Sequence, residues 1–231
     1  MGIADTAHLS LDELVDVIET RAQTRLFVGL AGAPASGKST TAHTLKDRLE
    51  ARGLSAAVVQ MDGLHSDDWV LEDRGLRARK GAPETFDVDG FAAILTRLRE
   101  YTERDVAVPV FDRSIEIARA GAAIIPAQTQ ILIVEGNYVL LDQPGWREVA
   151  DQLDLTVMLD VPEAILTARL LERWKDLPQT EALAKLEEND LPNGRLVRNQ
   201  SRPAQYVLTQ EACSSDQNPD CTDAPQPCHQ P

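Results

Sequence analysis

Cysteine is absent from residues 1–212 of this 231-residue chain; Cys213, Cys221 and Cys228 all fall in the final stretch. The body of the protein therefore has none to form disulfides, and a reducing, cytoplasmic setting is expected. Aromatic residues are scarce at 4%, too few for an aromatic-rich binding pocket. Basic excess is missing as well. Asp and Glu number 37 against 23 Lys and Arg, a net charge of −14, which offers no footprint for nucleic acid. No run reaches the roughly 18 apolar residues that a membrane helix needs, so no membrane insertion is expected. The opening "MGIADTAHLS" lacks the basic and apolar regions of a secretory leader. It fits the Met-Gly-x-x-x-Thr acylation pattern, which is too short to discriminate. What is present is 43% hydrophobic and 26% charged residues, as expected of a globular chain with one sizeable core.

The apolar periodicity gives the organisation. Leu11, Leu14, Val15 and Ile18 share one helical face, with Ser10 as the cap. "RLFVGLAG" reads as a short buried strand. A helix follows from Gly37, burying Ala42, Leu45 and Leu49, and "LSAAVVQM" is a second strand. This alternation predicts an α/β fold with a mostly parallel sheet and right-handed crossovers. Residues 63–86 are polar and glycine-containing, and read as a surface excursion outside the core. Asp87 caps a helix whose apolar face is Phe91, Ile94, Leu95 and Leu98. "VAVPVF" and "AAIIP" are strand material, with Pro109 marking an edge or irregular strand. "QILIVEG" and "LTVMLD" are buried strands. Asp160, Pro162 and Glu163 predict a capping box and a helix to about Trp174. A further helix covers about Gln179 to Glu188, and "QYVLT" is a last strand. From Cys213 onward the composition predicts a disordered tail. Cys213, Cys221, Cys228 and His229 match none of the usual paired zinc spacings.

The first strand runs into Gly32-Ala33-Pro34-Ala35-Ser36-Gly37-Lys38-Ser39, then Thr40 and a helix. This is the G-x-x-x-x-G-K-S/T phosphate loop in its required context. Glycines let successive N–H groups point inward at phosphate oxygens, and the helix adds its positive N-terminal end. Lys38 is placed to reach the β- and γ-phosphates of ATP, and Ser39 to ligate Mg²⁺. Glu135, ending "ILIVEG", is the candidate carboxylate for the metal's water shell. Asp62 ends the second strand. If that strand neighbours the first, Asp62 lies beside the γ-phosphate and can take the proton of an acceptor hydroxyl. An aspartate opening a turn before Gly63 is the plainer alternative.

Four further segments carry a resemblance: "MDGL", "RKGAPETFD" (Arg79 to Asp87), "PVFDRS" and "VEGNYVLL". Together with the loop they resemble the phosphoribulokinase/uridine kinase superfamily of P-loop kinases, and within it the bacterial pantothenate kinases. In overall look the chain is similar to small kinases described as fructose-transport-system or nucleoside-kinase-like. The resemblance spans about residues 26 to 209 and implies a P-loop NTPase three-layer sandwich, helices on both faces, with a small lid at about 162–195. An N-terminal helix (1–24) would pack on a kinase domain (25–212), followed by the tail (213–231). Asp62 corresponds to the family's base. Arg169 and Arg173, one helical turn apart, take the place of lid arginines that stabilise the transferring phosphoryl group. Arg79 and Lys80 fall in the nine-residue block, and His65, Asp112, Arg113, Asn137 and Tyr138 are candidate acceptor contacts.

The expected function is transfer of the ATP γ-phosphoryl group to an alcohol on a small molecule: a sugar first, then a nucleoside or a pantothenate-like alcohol. The rival is an ATP-binding regulatory or transport-associated protein without metabolite kinase activity. Homodimers are common among the resembled kinases, and nothing in the sequence localises an interface.

Overall fold

The computed structural model describes residues 6–100 and 103–209; Gly2 and the tail from Cys213, with its cysteines and His229, lie outside the described residues. The chain opens with β1 (Ala7–Leu9), α1 (Leu11–Arg21), β2 (Leu26–Gly32), α2 (Lys38–Ala51) and β3 (Ala56–Gln60). A 3₁₀ turn (Met61–Leu64) leads to α3 (Asp68–Asp73), two more 3₁₀ turns, α4 (Val88–Glu100) and a hairpin of β4 (Val106–Asp112) and β5 (Ile117–Ile125). Then come β6 (Ile131–Gly136), α5 (Trp146–Ala150), β7 (Leu155–Asp160), α6 (Glu163–Arg173) and α7 (Gln179–Ala184). A π-helical stretch (Lys185–Asp190) joins α7 to α8 (Leu191–Gln200), and β8 (Tyr206–Thr209) closes the order.

The central strands are buried on both faces, so their side chains sort by parity. In β2, Phe27 and Ala31 enter one apolar cluster with α4 and α5, while Leu26, Val28 and Leu30 enter the other with α1 and α2. In β6, Leu132 and Val134 take the first side, Ile131 and Ile133 the second. The product is a sheet between two helical layers. Ser10 caps α1 as expected: Glu13 N–H donates to Ser10 Oγ, and the Ser10 N–H donates to Glu13 Oε2 at 2.8 Å. Leu14, Val15 and Ile18 then seat α1 in the second cluster.

Strand order is β1-β8-β7-β2-β6-β3, every pair parallel. The strand before the phosphate loop, β2, is therefore not beside the one that leads to Asp62, β3; β6, which carries Glu135, lies between them. Parallel strands need a crossover anyway, so nothing local prevents a third strand from inserting. The hairpin β4–β5 forms a separate antiparallel pair, irregular between Val108 and Val110 around Pro109.

Three local expectations are corrected. The 63–86 excursion contributes to the core: Leu64, Leu71, Ala82 and Phe86 are buried. Asp160 does not cap α6. Its N-cap is Pro162, with no side-chain cap bond, while Asp160 pairs with Arg198 and Glu163 with Arg195. The helix read as ending near Glu188 continues through the π turns into α8, with Pro192 in its first turn. Pro192 has no N–H to return to residue 188, and the wider π turns absorb the missing bond.

Candidate active site

Parity decides where Glu135 points. It follows Ile131 and Ile133 on the β6 face toward α2, and there Ser39 Oγ donates to Glu135 Oε1 at 2.9 Å. The phosphate loop itself is tightly wound. Gly37 caps α2 with φ 85°, a left-handed conformation that glycine adopts without strain. A Cβ on Gly32 would stand 2.7 Å from Ser36 Oγ. Lys38 is only 8% exposed, and its ammonium donates to the Ala33 carbonyl at 2.9 Å and reaches Ser36 Oγ at 3.5 Å. Burial pulls the Lys38 pKa down to about 8, against the opposing charges of Glu135 and Asp62. A buried ammonium whose hydrogen bonds, among the described residues, go to neutral oxygens fits an anionic phosphate. Ser39 and Glu135 supply hard oxygen donors of the kind Mg²⁺ prefers. Among the described residues no cluster of three or more His, Cys, Asp or Glu could hold a metal; a Mg²⁺ here would rely on water and phosphate oxygens, its usual habit.

Asp62 reaches this site by register. Gln60 of β3 pairs with Glu135 of β6, and a Cβ on Gly136 would collide with Met61. The 3₁₀ turn that carries Asp62 is thus pressed against the end of the Glu135 strand. Burial, then the Asp62 charge, push the Glu135 pKa up. Asp62 remains 28% exposed, so it is not sealed beneath the sheet, and Arg113 Nη2 donates to its Oδ2 at 2.8 Å. Arg113 comes from the hairpin tip, where Asp112 accepts from the Ser114 N–H and hydroxyl and faces Arg119 at 3.5 Å. That turn bonding, led by Ser114, holds the Asp112 pKa low.

The hairpin is fixed to the Asp62 turn by a close backbone approach: a Cβ on Gly63 would lie 2.5 Å from the Pro109 carbonyl oxygen. His65 fills the space beside it, its ring 4.1 Å from Phe86 and 4.9 Å from Phe111 between centroids. An open groove of about 370 Å³ runs between the hairpin, α4 and this turn, lined by His65, Asp87, Arg97 and Pro109 among others.

The remaining sequence candidates divide. Arg169 on α6 donates to the Ala35 carbonyl at 3.2 Å, on the phosphate loop, and the Arg173 charge is felt by Lys38. Asn137 is half-buried just past Gly136. Lys80 is tied to Asp68 at 2.6 Å and to the Glu116 carbonyl at 2.9 Å, so it braces the hairpin. Arg79 donates to the Glu188 carbonyl and pairs with Glu84. Tyr138, a candidate acceptor contact, is 0% exposed and its hydroxyl donates to the Gly81 carbonyl, which puts it in the core, holding the Arg79–Asp87 block. Two residues that sequence reasoning passed over complete this support. Asn189 donates to the Lys80 carbonyl at 2.8 Å, and Asn193 donates to Asn189 at 3.1 Å; both are buried. Their only sequence signal is a polar pair one turn apart near Pro192.

Residues 27–177 match the family model of the phosphoribulokinase/uridine kinase family. The chain belongs to that family. It is 32% identical over 216 residues to a candidate uridine kinase of Schizosaccharomyces pombe, covering 87% of this chain and 91% of the relative. A pantothenate kinase of Listeria monocytogenes is 35% identical over 158 residues, covering 67% of this chain but 51% of its own length. Thus the chain spans about half of that enzyme. Among solved structures, a protein described as a candidate fructose transport system kinase from Silicibacter sp. TM1040 superposes with TM-score 0.80 at 44% identity, covering 86% and 98%. The chain is accordingly a P-loop kinase of the uridine/pantothenate/phosphoribulokinase type, a phosphotransferase with an alcohol group as acceptor. No helix among the described residues is long and apolar enough to cross a membrane.

Proposed function

We propose that this chain transfers the γ-phosphoryl group of ATP to a hydroxyl of a small metabolite, a sugar ahead of a nucleoside or a pantothenate-like alcohol. The observation that carries the reading is the partly exposed Asp62 carboxylate at the same sheet edge as Lys38, Ser39 and Glu135, its charge reaching both Lys38 and Glu135. The carboxyl ends of parallel strands are where such folds bind ligands. In this reading Lys38 and the loop amides of residues 32–40 grip the phosphates, Ser39 and Glu135 hold the metal site, and Arg169 and Arg173 cover the transferring group. Asp62 accepts the hydroxyl proton as the acceptor oxygen replaces the bridging oxygen on phosphorus. A bound Mg²⁺ would supply charge neutralisation for the phosphate oxygens.

Sugar comes first because the groups beside Asp62 are polar, His65 and Arg113, with few exposed rings to stack a base. The name of the Silicibacter relative, at 44% identity, points the same way. A reducing cytoplasmic setting suits a body without cysteine. The test incubates the protein with ATP, Mg²⁺ and, separately, D-fructose, D-ribose, uridine and D-pantothenate, reading product mass and ADP. Acceptor-dependent ADP with a phosphorylated sugar is expected; ADP release indifferent to every acceptor contradicts it.

A further inference from the structure

The two oxygens of Asp62 stand in different surroundings. Oδ2 accepts from Arg113 at 2.8 Å, whereas Oδ1 faces His65 Nε2 across 3.9 Å. That gap is too wide for a hydrogen bond, yet an oxygen about 2.8 Å from each atom fits it, the two contacts meeting at roughly a right angle. On the far side of the imidazole, Nδ1 is buried with no hydrogen-bond partner among the described residues. A sealed N–H without an acceptor is rarer than an under-satisfied acceptor, which assigns the ring's proton to Nε2, toward the gap. Burial keeps the imidazole neutral, its pKa drawn down to about 4.

We propose that the acceptor's attacking hydroxyl is held in this gap, donating its proton to Asp62 Oδ1 and accepting a hydrogen bond from His65 Nε2–H. The inference rests on the alcohol-kinase reading above. An alcohol oxygen carries one carbon, one proton and two lone pairs. With the proton on Oδ1 and one lone pair on His65, the second lone pair is left for phosphorus. As the new P–O bond forms, the β,γ-bridging P–O bond breaks and its electron pair departs with ADP. The hydroxyl proton passes to Oδ1, and His65 keeps its own proton throughout. Arg113 meanwhile donates to Oδ2, which directs the acceptor hydroxyl toward Oδ1. Phe86 and Phe111 set the imidazole plane, which makes the donor direction a property of the fold.

The test compares His65→Phe, which keeps a ring in the slot and removes the donor, with His65→Gln, whose amide N–H lies near the place of Nε2–H. Steady-state kinetics use whichever of D-fructose, D-ribose, uridine or D-pantothenate the wild type phosphorylates; ATP binding and ligand-free melting temperature are read alongside. His65→Phe should lose about tenfold in kcat, the scale of one directed hydrogen bond. ATP affinity should be unchanged and the melting temperature equal to or above wild type, because the sealed bare nitrogen is gone. His65→Gln should recover most of the rate. A His65→Phe enzyme within twofold of wild type overturns the inference while leaving the kinase reading intact, as do Phe and Gln variants impaired alike. A wild type inert on all four acceptors removes the kinase reading itself, and the inference with it.

Discussion

Replacing His65 by Phe should change how the fold responds to acid. Burial dominates at this imidazole; Asp62 and Asp68 favour its protonation, while Lys80 and Arg113 oppose it. The net result is a folded pKa of about 4, against about 6.5 in the unfolded chain. Between those values the unfolded chain binds the extra proton, so stability rises with pH across the window and is lost as pH falls from 6.5 toward 4. Integrated from pH 7.5 down to pH 5, the loss is about 2 kcal/mol. Urea unfolding followed by tryptophan fluorescence at both pH values measures it, in wild type and His65→Phe. Carboxylate titrations are common to both and cancel in the difference. Wild type should lose about 2 kcal/mol more than the variant. Parallel losses would refute the reasoning: they would mean that the buried imidazolium is compensated, by Asp62 closing the 3.9 Å gap or by a partner at Nδ1.

Gly63→Ala places a methyl group 2.5 Å from the Pro109 carbonyl oxygen, so the hairpin must shift. The expected cost is about 1–3 kcal/mol by thermal or urea unfolding, with acceptor turnover falling more than ATP affinity; a neutral substitution would show that the hairpin yields freely. Asn189→Leu leaves the Lys80 carbonyl and the Asn193 amide without their partner. That change should cost about 1–3 kcal/mol, and stability within 0.5 kcal/mol of wild type, on the order of a surface substitution, would deny the network its role. Glu135→Gln keeps an acceptor for the Ser39 hydroxyl but removes the charge. The Mg²⁺ concentration for half-maximal activity should rise by about 10- to 100-fold, and an unchanged Mg²⁺ dependence would take Glu135 out of the metal site.

Much of this architecture is legible in the chain because its signals are local. The phosphate loop is fixed by glycines at 32 and 37 between a buried strand and a helix, and β2, β6 and β7 declare themselves as apolar runs. The α4 stripe of Phe91, Leu95 and Leu98 is buried as its spacing requires. What escapes is non-local. β1 is three residues long and mostly exposed, so it has no pattern of its own and exists by pairing with β8 from the other end of the chain. The insertion of β6 between β2 and β3 depends on crossover packing that no short window encodes. Proline breaks a helix interior, yet Pro192 sits in the first turn of α8, where it is tolerated. Among site candidates, Asp62 and Glu135 stand out as carboxylates at the ends of apolar runs. Tyr138 misleads, because a tyrosine next to a site motif looks the same whether its hydroxyl meets a ligand or a buried carbonyl.

Asp62→Asn tests the central claim most directly, with rapid-quench turnover of the preferred acceptor and calorimetric ATP affinity measured on the same protein. The side chain keeps its size and an acceptor for Arg113 while losing the capacity to take a proton. Turnover should fall by about 10²- to 10⁴-fold with ATP affinity nearly constant, since the proposed reading has Lys38 and the loop, not Asp62, hold the phosphates. Activity within a factor of a few of wild type would contradict the account.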